Sequence, residues 1–268
     1  PGIDQRPHHI PANGAGTPRY SNAHDVTPLE RAGYPGVREA ALRALKRICK
    51  RVSEDSVLGN LEDEDFEVRY HVISALGRMG SKKAVEPLLI TATEDECGCV
   101  RSEAICALGR IGDPQAVEPL INLLEDSDPS LQGLIAEALG NIRDARALEP
   151  LIGIFKYEKR GPYAEVAEAL GKLGGERSLE VLLEALNHDD WHMREAAAMG
   201  LGILADERAS DPLITAHNRI LEEVRQGNIE EYDRHCFDAV ESSIMRAFKD
   251  IYWKKEVRPD VQAYFDYF

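Results

Sequence analysis

A segment that returns about every 31 residues constrains this chain more than any other feature. Ser74-Ala75-Leu76-Gly77 recurs as Cys106-Ala107-Leu108-Gly109, Glu137-Ala138-Leu139-Gly140, Glu168-Ala169-Leu170-Gly171 and Met199-Gly200-Leu201-Gly202. The glycines step by 32, 31, 31 and 31 residues. One period before Gly77 stands Lys46, in Arg43-Ala44-Leu45-Lys46, an earlier unit without the glycine. Six in-phase copies at such a period mark a repeat architecture.

A second motif keeps the same phase. Ala84-Val85-Glu86-Pro87-Leu88 returns as Ala116-Val117-Glu118-Pro119-Leu120 and Ala147-Leu148-Glu149-Pro150-Leu151, with degenerate copies at Ser178–Leu182 and Ala209–Leu213. Each period therefore holds two amphipathic segments. Segment A, over 68–79 in the second unit, places Val68, Val72, Ile73, Leu76 and Met79 at helical spacing. Segment B places Val85, Leu88, Leu89 and Ala92 on one stripe. The proline suits the first turn of B, where a missing N–H costs nothing. The glycine near the end of A is read as giving the turn and a close approach to the next helix. One helix pair cannot bury its apolar stripe, but stacked pairs bury each other's. The pattern predicts an all-α fold, a right-handed α-solenoid of about six helix pairs.

Val100-Arg101, Ala107-Leu108-Gly109, Gly112-Asp113-Pro114 and Ala116-Val117-Glu118-Pro119-Leu120 together resemble HEAT-like repeats of the phycobilisome-lyase type. The resemblance covers residues 36–226 and is specific for fold. For function it implies little, because such repeats occur in bilin lyases, deoxyhypusine hydroxylases and many scaffolds, and fold does not fix function.

The organisation that follows is an extended N-terminal arm over 1–28, a repeat solenoid over 29–226, capping helices over 227–256 and an aromatic tail over 257–268. The arm is rich in Pro, Gly, Asn and His and has no periodicity. In the cap, Tyr232, Cys236, Val240, Ile244 and Ala247 fall near one face. The net charge of −15 repels phosphate backbones, so nucleic acid is not expected as a partner. No run of residues reaches the length of a transmembrane helix; the longest nearly apolar one is 196–205. Five cysteines in no framework, and no secretory signal, point to a reducing intracellular compartment, cytoplasmic or organellar, plastids included.

Catalytic or metal chemistry finds little footing. Deoxyhypusine hydroxylases hold iron with His-Glu dyads, and this sequence has no adjacent His-Glu pair. Cys99 and Cys106 are seven residues apart on one predicted helix, about 10 Å along its axis, too far to share a zinc ion. Cys97-Gly98-Cys99 reads as ordinary loop and helix cysteines, with a redox-sensitive pair as the alternative. His188-Asp189-Asp190-Trp191-His192 gathers possible ligands at a helix start, where Asp is a routine N-cap. No catalytic residue, metal or cofactor is assigned; a transient bilin belongs only to the lyase alternative.

Binding surfaces are easier to nominate. Arg38, Arg69, Arg101 and Arg194 share one position of segment A, the last three preceded by acidic residues, and read as a structural ladder between units. Gln132 and Tyr163 replace the arginine in the middle units, the second after a basic loop containing Lys159 and Arg160. Along segment B, Glu86, Glu118, Glu149, Glu180 and Asp211 recur in register, joined by Asn122, Glu125 and Glu184. Carboxylates in a first turn suit the helix dipole. If B helices line the concave face, as this architecture implies, these residues form an acidic groove for a basic partner segment. Aromatics concentrate at the end of the chain, as Tyr252, Trp253, Tyr264, Phe265, Tyr267 and Phe268, and the last four lie beyond any repeat. Aromatics anchor interfaces. The function expected is a non-catalytic protein-interaction scaffold, a subunit or assembly factor of a larger complex. The alternative is a bilin lyase or phycobiliprotein-handling factor.

Overall fold

In the computed structural model the described residues are 54–125, 127–157, 161–226 and 234–253, all in the second of the chain's two units, Lys46–Phe268. The N-terminal arm, the first repeat through Arg38 and the aromatic tail lie outside them. So do Tyr232 and the side chains of Cys236, Tyr252 and Trp253.

Segment A folds as α2 (Phe66–Met79), α4 (Gly98–Ile111), α6 (Pro129–Ile142), α8 (Tyr163–Leu173) and α10 (Trp191–Leu204). A short helix, α1 (Glu54–Leu58), precedes them. Local chemistry sets the starts. Asp65 accepts a hydrogen bond from the Glu67 N–H, Asp128 from Ser130 and Leu131, and Asp190 from His192, each satisfying a donor the helix leaves open. The ends fall on a left-handed residue at Gly80 (φ 68°), Gly112 (φ 70°), Arg143 (φ 60°) and Ala205 (φ 54°).

Segment B folds as α3 (Val85–Glu94), α5 (Val117–Glu125), α7 (Leu148–Tyr157), α9 (Gly175–Ala185) and α11 (Ser210–Arg225). A tight 3-10 turn leads into four of these, at Lys82–Ala84, Pro114–Ala116, Ala145–Ala147 and Glu207–Ala209. Pro87, Pro119, Pro150 and Pro212 all sit in the first turn of the α-helix, as their missing N–H requires. A last helix, α12 (Arg234–Trp253), packs on both α10 and α11 and so takes the place of a further segment A. Val240, Ile244 and Ala247 of the expected cap face are buried there.

Each A helix packs on the next A helix, and each B helix on the A helix that follows it. No strand occurs among the described residues. The result is an all-α solenoid of two helical layers. Its core passes from unit to unit through fully buried Ile73, Leu76, Leu108, Leu120, Leu139, Leu151 and Phe155. Burial of one such side chain is worth about 1.5–3 kcal/mol, and no pair closes its own core.

The motif glycine works differently from the sequence reading in one respect. It is helical, and the residue three positions on makes the turn instead. What the glycine permits is contact between A helices: a Cβ on Gly109 would lie 2.7 Å from Ala138 Cα, and one on Gly140 2.7 Å from Ala169 Cα. The small residues of one Ala-Leu-Gly segment thus seat against those of the next.

Candidate functional site

Two series of basic residues bear on the joints between units, a cross-unit clamp at Arg69 and a ladder along segment B. The first runs through segment A. Arg69, only 7% exposed, donates from Nε and Nη2 to both oxygens of Asp95 in the next unit, at 2.8 and 3.0 Å. Its Nη1 binds the Asp63 and Glu64 carbonyls at 2.8 and 3.2 Å. Arginine suits this position because its planar fork serves a carboxylate and backbone carbonyls together. Burial opposes the charged form of Asp95, but the Arg69 side chain and the Cys97 N–H hold its carboxyl below the usual carboxylate range. Arg101 binds the Asp95 carbonyl at 2.6 Å. Gln132, which replaces the arginine, is buried and donates to the Leu124 carbonyl at 3.4 Å. Tyr163 sets its ring edge-on to Phe155, with centroids 6.1 Å apart. The substitutions in the middle units therefore keep the joint filled while dropping its charge.

The second ladder was missed in the sequence, although it repeats there in phase. Lys83, Arg146, Arg177 and Arg208 occupy one register at the start of segment B, and Gln115 takes the same place in the third unit. Arg146 is braced by Asp144, through Nε at 2.9 Å and Nη2 at 2.8 Å, and reaches Glu118 of the previous unit at 3.3 Å. Arg208 repeats this with Asp206 and, at 2.7 Å, Glu176. Arg177 reaches Glu149 at 3.4 Å and Glu180 on its own helix at 3.2 Å. Lys83 reaches Asp55 at 3.0 Å. The Arg146 side chain and backbone N–H bring the Asp144 carboxyl down to about 2. Exposed pairs of this kind add little stability. What they do is fix the direction in which the carboxylates point.

The acidic row is thereby placed. Glu86, Glu118, Asn122, Glu125, Glu149, Glu180, Glu184 and Asp211 are all exposed on consecutive B helices. Glu118, Glu149 and Glu180 are held by the second ladder, and Glu184 pairs with Lys156 at 2.5 Å. The row is a mixed-charge surface with anchored carboxylates, where the sequence reading had an acidic groove. Lys159, Arg160, Tyr264, Phe265, Tyr267 and Phe268 lie outside the described residues. Tyr163 is half-buried against Phe155.

The remaining candidates resolve locally. Asp190 accepts from the His192 N–H at 2.9 Å and lies 3.1 Å from His192 Nδ1, while Trp191 stacks on the His192 ring. Among the described residues no group of three His, Cys, Asp or Glu is placed to hold a metal ion, and no helix is long and apolar enough to cross a membrane. Cys97 and Cys99, read as ordinary thiols, form a disulfide. The two cysteines flank Gly98 at the mouth of a helix, one as the N-cap and one in the first turn. Cys106 remains a free thiol.

A family model for HEAT repeats matches residues 28–97, 85–163 and 162–231. No curated protein matches the chain significantly. Among solved structures, the complex of CpcE and CpcF of phycocyanin lyase from Nostoc sp. PCC7120 is 22% identical. That match covers 72% of this chain and 95% of the other, with a TM-score of 0.43. Human deoxyhypusine hydroxylase is 18% identical over 80% of this chain and 90% of its own, with a TM-score of 0.35. A designed armadillo repeat protein in complex with the peptide (KR)4 is 17% identical over 75% of this chain and all of its own, at 0.44.

Proposed function

Since the chain belongs to the HEAT-repeat family, we propose that it is a non-catalytic protein-interaction scaffold, a subunit or assembly factor of a larger complex. We place the partner on the exposed row of segment B, the face expected to be concave. The observation that carries this reading is the exposure, in register, of Glu86, Glu118, Glu149, Glu180 and Asp211 on consecutive helices, with Asn122, Glu125 and Glu184 exposed beside them. The arginine ladder holds several of these carboxylates in advance, so a partner would pay little to order them. With a net charge of −15, the chain attracts a basic segment from a distance. Lys159 and Arg160, and the aromatic tail from Tyr264 to Phe268, are proposed from the sequence as further partner contacts.

Affinity capture of the native chain, followed by cross-linking mass spectrometry, tests this. Cross-links should fall on the B-helix row, and the double charge reversal Glu86→Lys with Glu125→Lys should lower capture at least tenfold. A chain that runs alone in native lysate, or cross-links that avoid the row, would sink the proposal. A chromophore-lyase role, favoured by the resemblance of the repeat to the phycobilisome-lyase type, predicts something else. Incubation with a bilin and an apo-phycobiliprotein would then give a visible-band shift and a covalent adduct.

A further inference from the structure

The Cys97–Cys99 disulfide stands at the joint that Arg69 and Asp95 make between two units. Cys97 is the N-cap of α4, and Cys99 lies in its first turn. The Cys97 N–H donates to Asp95 Oδ1 at 2.8 Å, and that carboxylate is the one gripped by Arg69 of the preceding A helix. Arg101 Nη1 binds the Asp95 carbonyl at 2.6 Å, and its Nη2 lies 3.5 Å from where a Gly98 Cβ would stand. The Arg101 guanidinium thus lies beside Gly98, the residue between the two cysteines. Cys99 is exposed and Cys97 is half-buried.

We propose that Cys97 and Cys99 form a thiol–disulfide exchange site whose redox state is passed, through the Cys97 N–H and Asp95, to the Arg69 clamp between units. The helix N-terminus and the Arg101 charge both stabilise a thiolate, the nucleophilic form. In the reduced protein the exposed Cys99 thiolate attacks one sulfur of an external disulfide. A mixed disulfide forms, and the other external sulfur leaves as a thiolate. The Cys97 thiolate then attacks Cys99 Sγ, closes the internal bond and expels the second external sulfur, which takes up a proton. Two thiols of the chain are oxidised and one external disulfide is reduced to two thiols; an external dithiol runs the exchange backwards. Cys106 takes no part. Burial pushes its thiol up to about 12, and it sits two helical turns farther along α4.

The test uses the full chain, first reduced and then equilibrated with oxidised glutathione. Acid quenching, alkylation in denaturant and peptide mass spectrometry report each cysteine. Cys97 and Cys99 should lose alkylation together, with no lasting glutathione adduct, while Cys106 stays fully alkylated. Cys97→Ser should instead accumulate glutathione on Cys99. Cys99→Ser should load glutathione on Cys97 at least tenfold more slowly, because that sulfur is less exposed. Thermal melts of both variants control for folding. Reduction should also speed hydrogen exchange at the Cys97 amide at least fivefold. If both cysteines remain alkylatable after oxidised glutathione, or if the disulfide is reduced only on unfolding, the exchange site is overturned. Unchanged exchange at the Cys97 amide overturns the coupling to the clamp.

Discussion

Gly140 in α6 and Gly153 in α7 are helical glycines of one unit, and they carry opposite instructions. A Cβ on Gly140 would meet Ala169 backbone at 2.7 Å, whereas one on Gly153 meets nothing within 4 Å. Gly140→Val should therefore destabilise the chain by about 1–3 kcal/mol, because the facing A helices must move apart. Gly153→Ala should stabilise it by about 0.5–1 kcal/mol, the ordinary helix preference of Ala over Gly. Urea midpoints of the two variants check both signs; a stabilised Gly140→Val would show that the A helices are not in contact there. Backbone conformation also sets the stability of the helix ends. Ala205 holds the left-handed conformation (φ 54°) that Gly80 and Gly112 take elsewhere, so Ala205→Gly should gain about 1 kcal/mol of stability.

At the scale of elements, the seam between α11 and α12 carries a titratable group. His217 is 1% exposed, and its Nδ1 lies 4.0 Å from Glu241 Oε1 across the seam. Burial lowers its pKa from the usual histidine range, with Glu241 opposing the shift. The folded state then favours the neutral ring, while the unfolded chain takes up a proton from about pH 6.5 downward. The contribution of His217 is therefore fully present above that pH and is lost as pH falls through the lowered folded value. Urea midpoints followed between about pH 7.5 and 5 should decline more steeply for the wild type than for His217→Leu. Parallel curves would refute the assignment. At the Arg69 joint the element-scale lesson is different. Gln132 and Tyr163 fill the equivalent place without charge, so that joint needs an occupant of the right shape more than it needs an ion pair.

For the whole molecule, charge is the dominant quantity. With 47 acidic and 32 basic residues, self-repulsion opposes the folded state, while the cross-unit pairs at Arg146, Arg177 and Arg208 are exposed and screened. Raising sodium chloride to about 0.5 M shortens the screening length to a few ångströms. Screening should then relieve more repulsion than it costs in attraction, so the urea midpoint should rise. A fall would mean that the arginine ladder outweighs the net charge. Repeat arrays also sum local contributions, so a change at one joint should act mainly on its neighbours.

The repeat, both helices of each pair and most of the core could be read from the sequence, because helix formation and nearest-neighbour burial depend on residues within about one period. The exposed B-helix row could be read for the same reason. Other features depend on the distance between parts that the sequence does not bring together. The close approach at the motif glycines is expected from sequence, but only the packed pair shows that Ala138 is what meets Gly109. The second ladder repeats in phase, yet its meaning comes from Arg146 and Glu118 meeting across 28 residues. The cysteines are two residues apart, but only the fold shows them joined at the α4 N-terminus and set beside the Asp95–Arg69 clamp. Periodicity fixes which face a residue occupies; only packing decides what it touches.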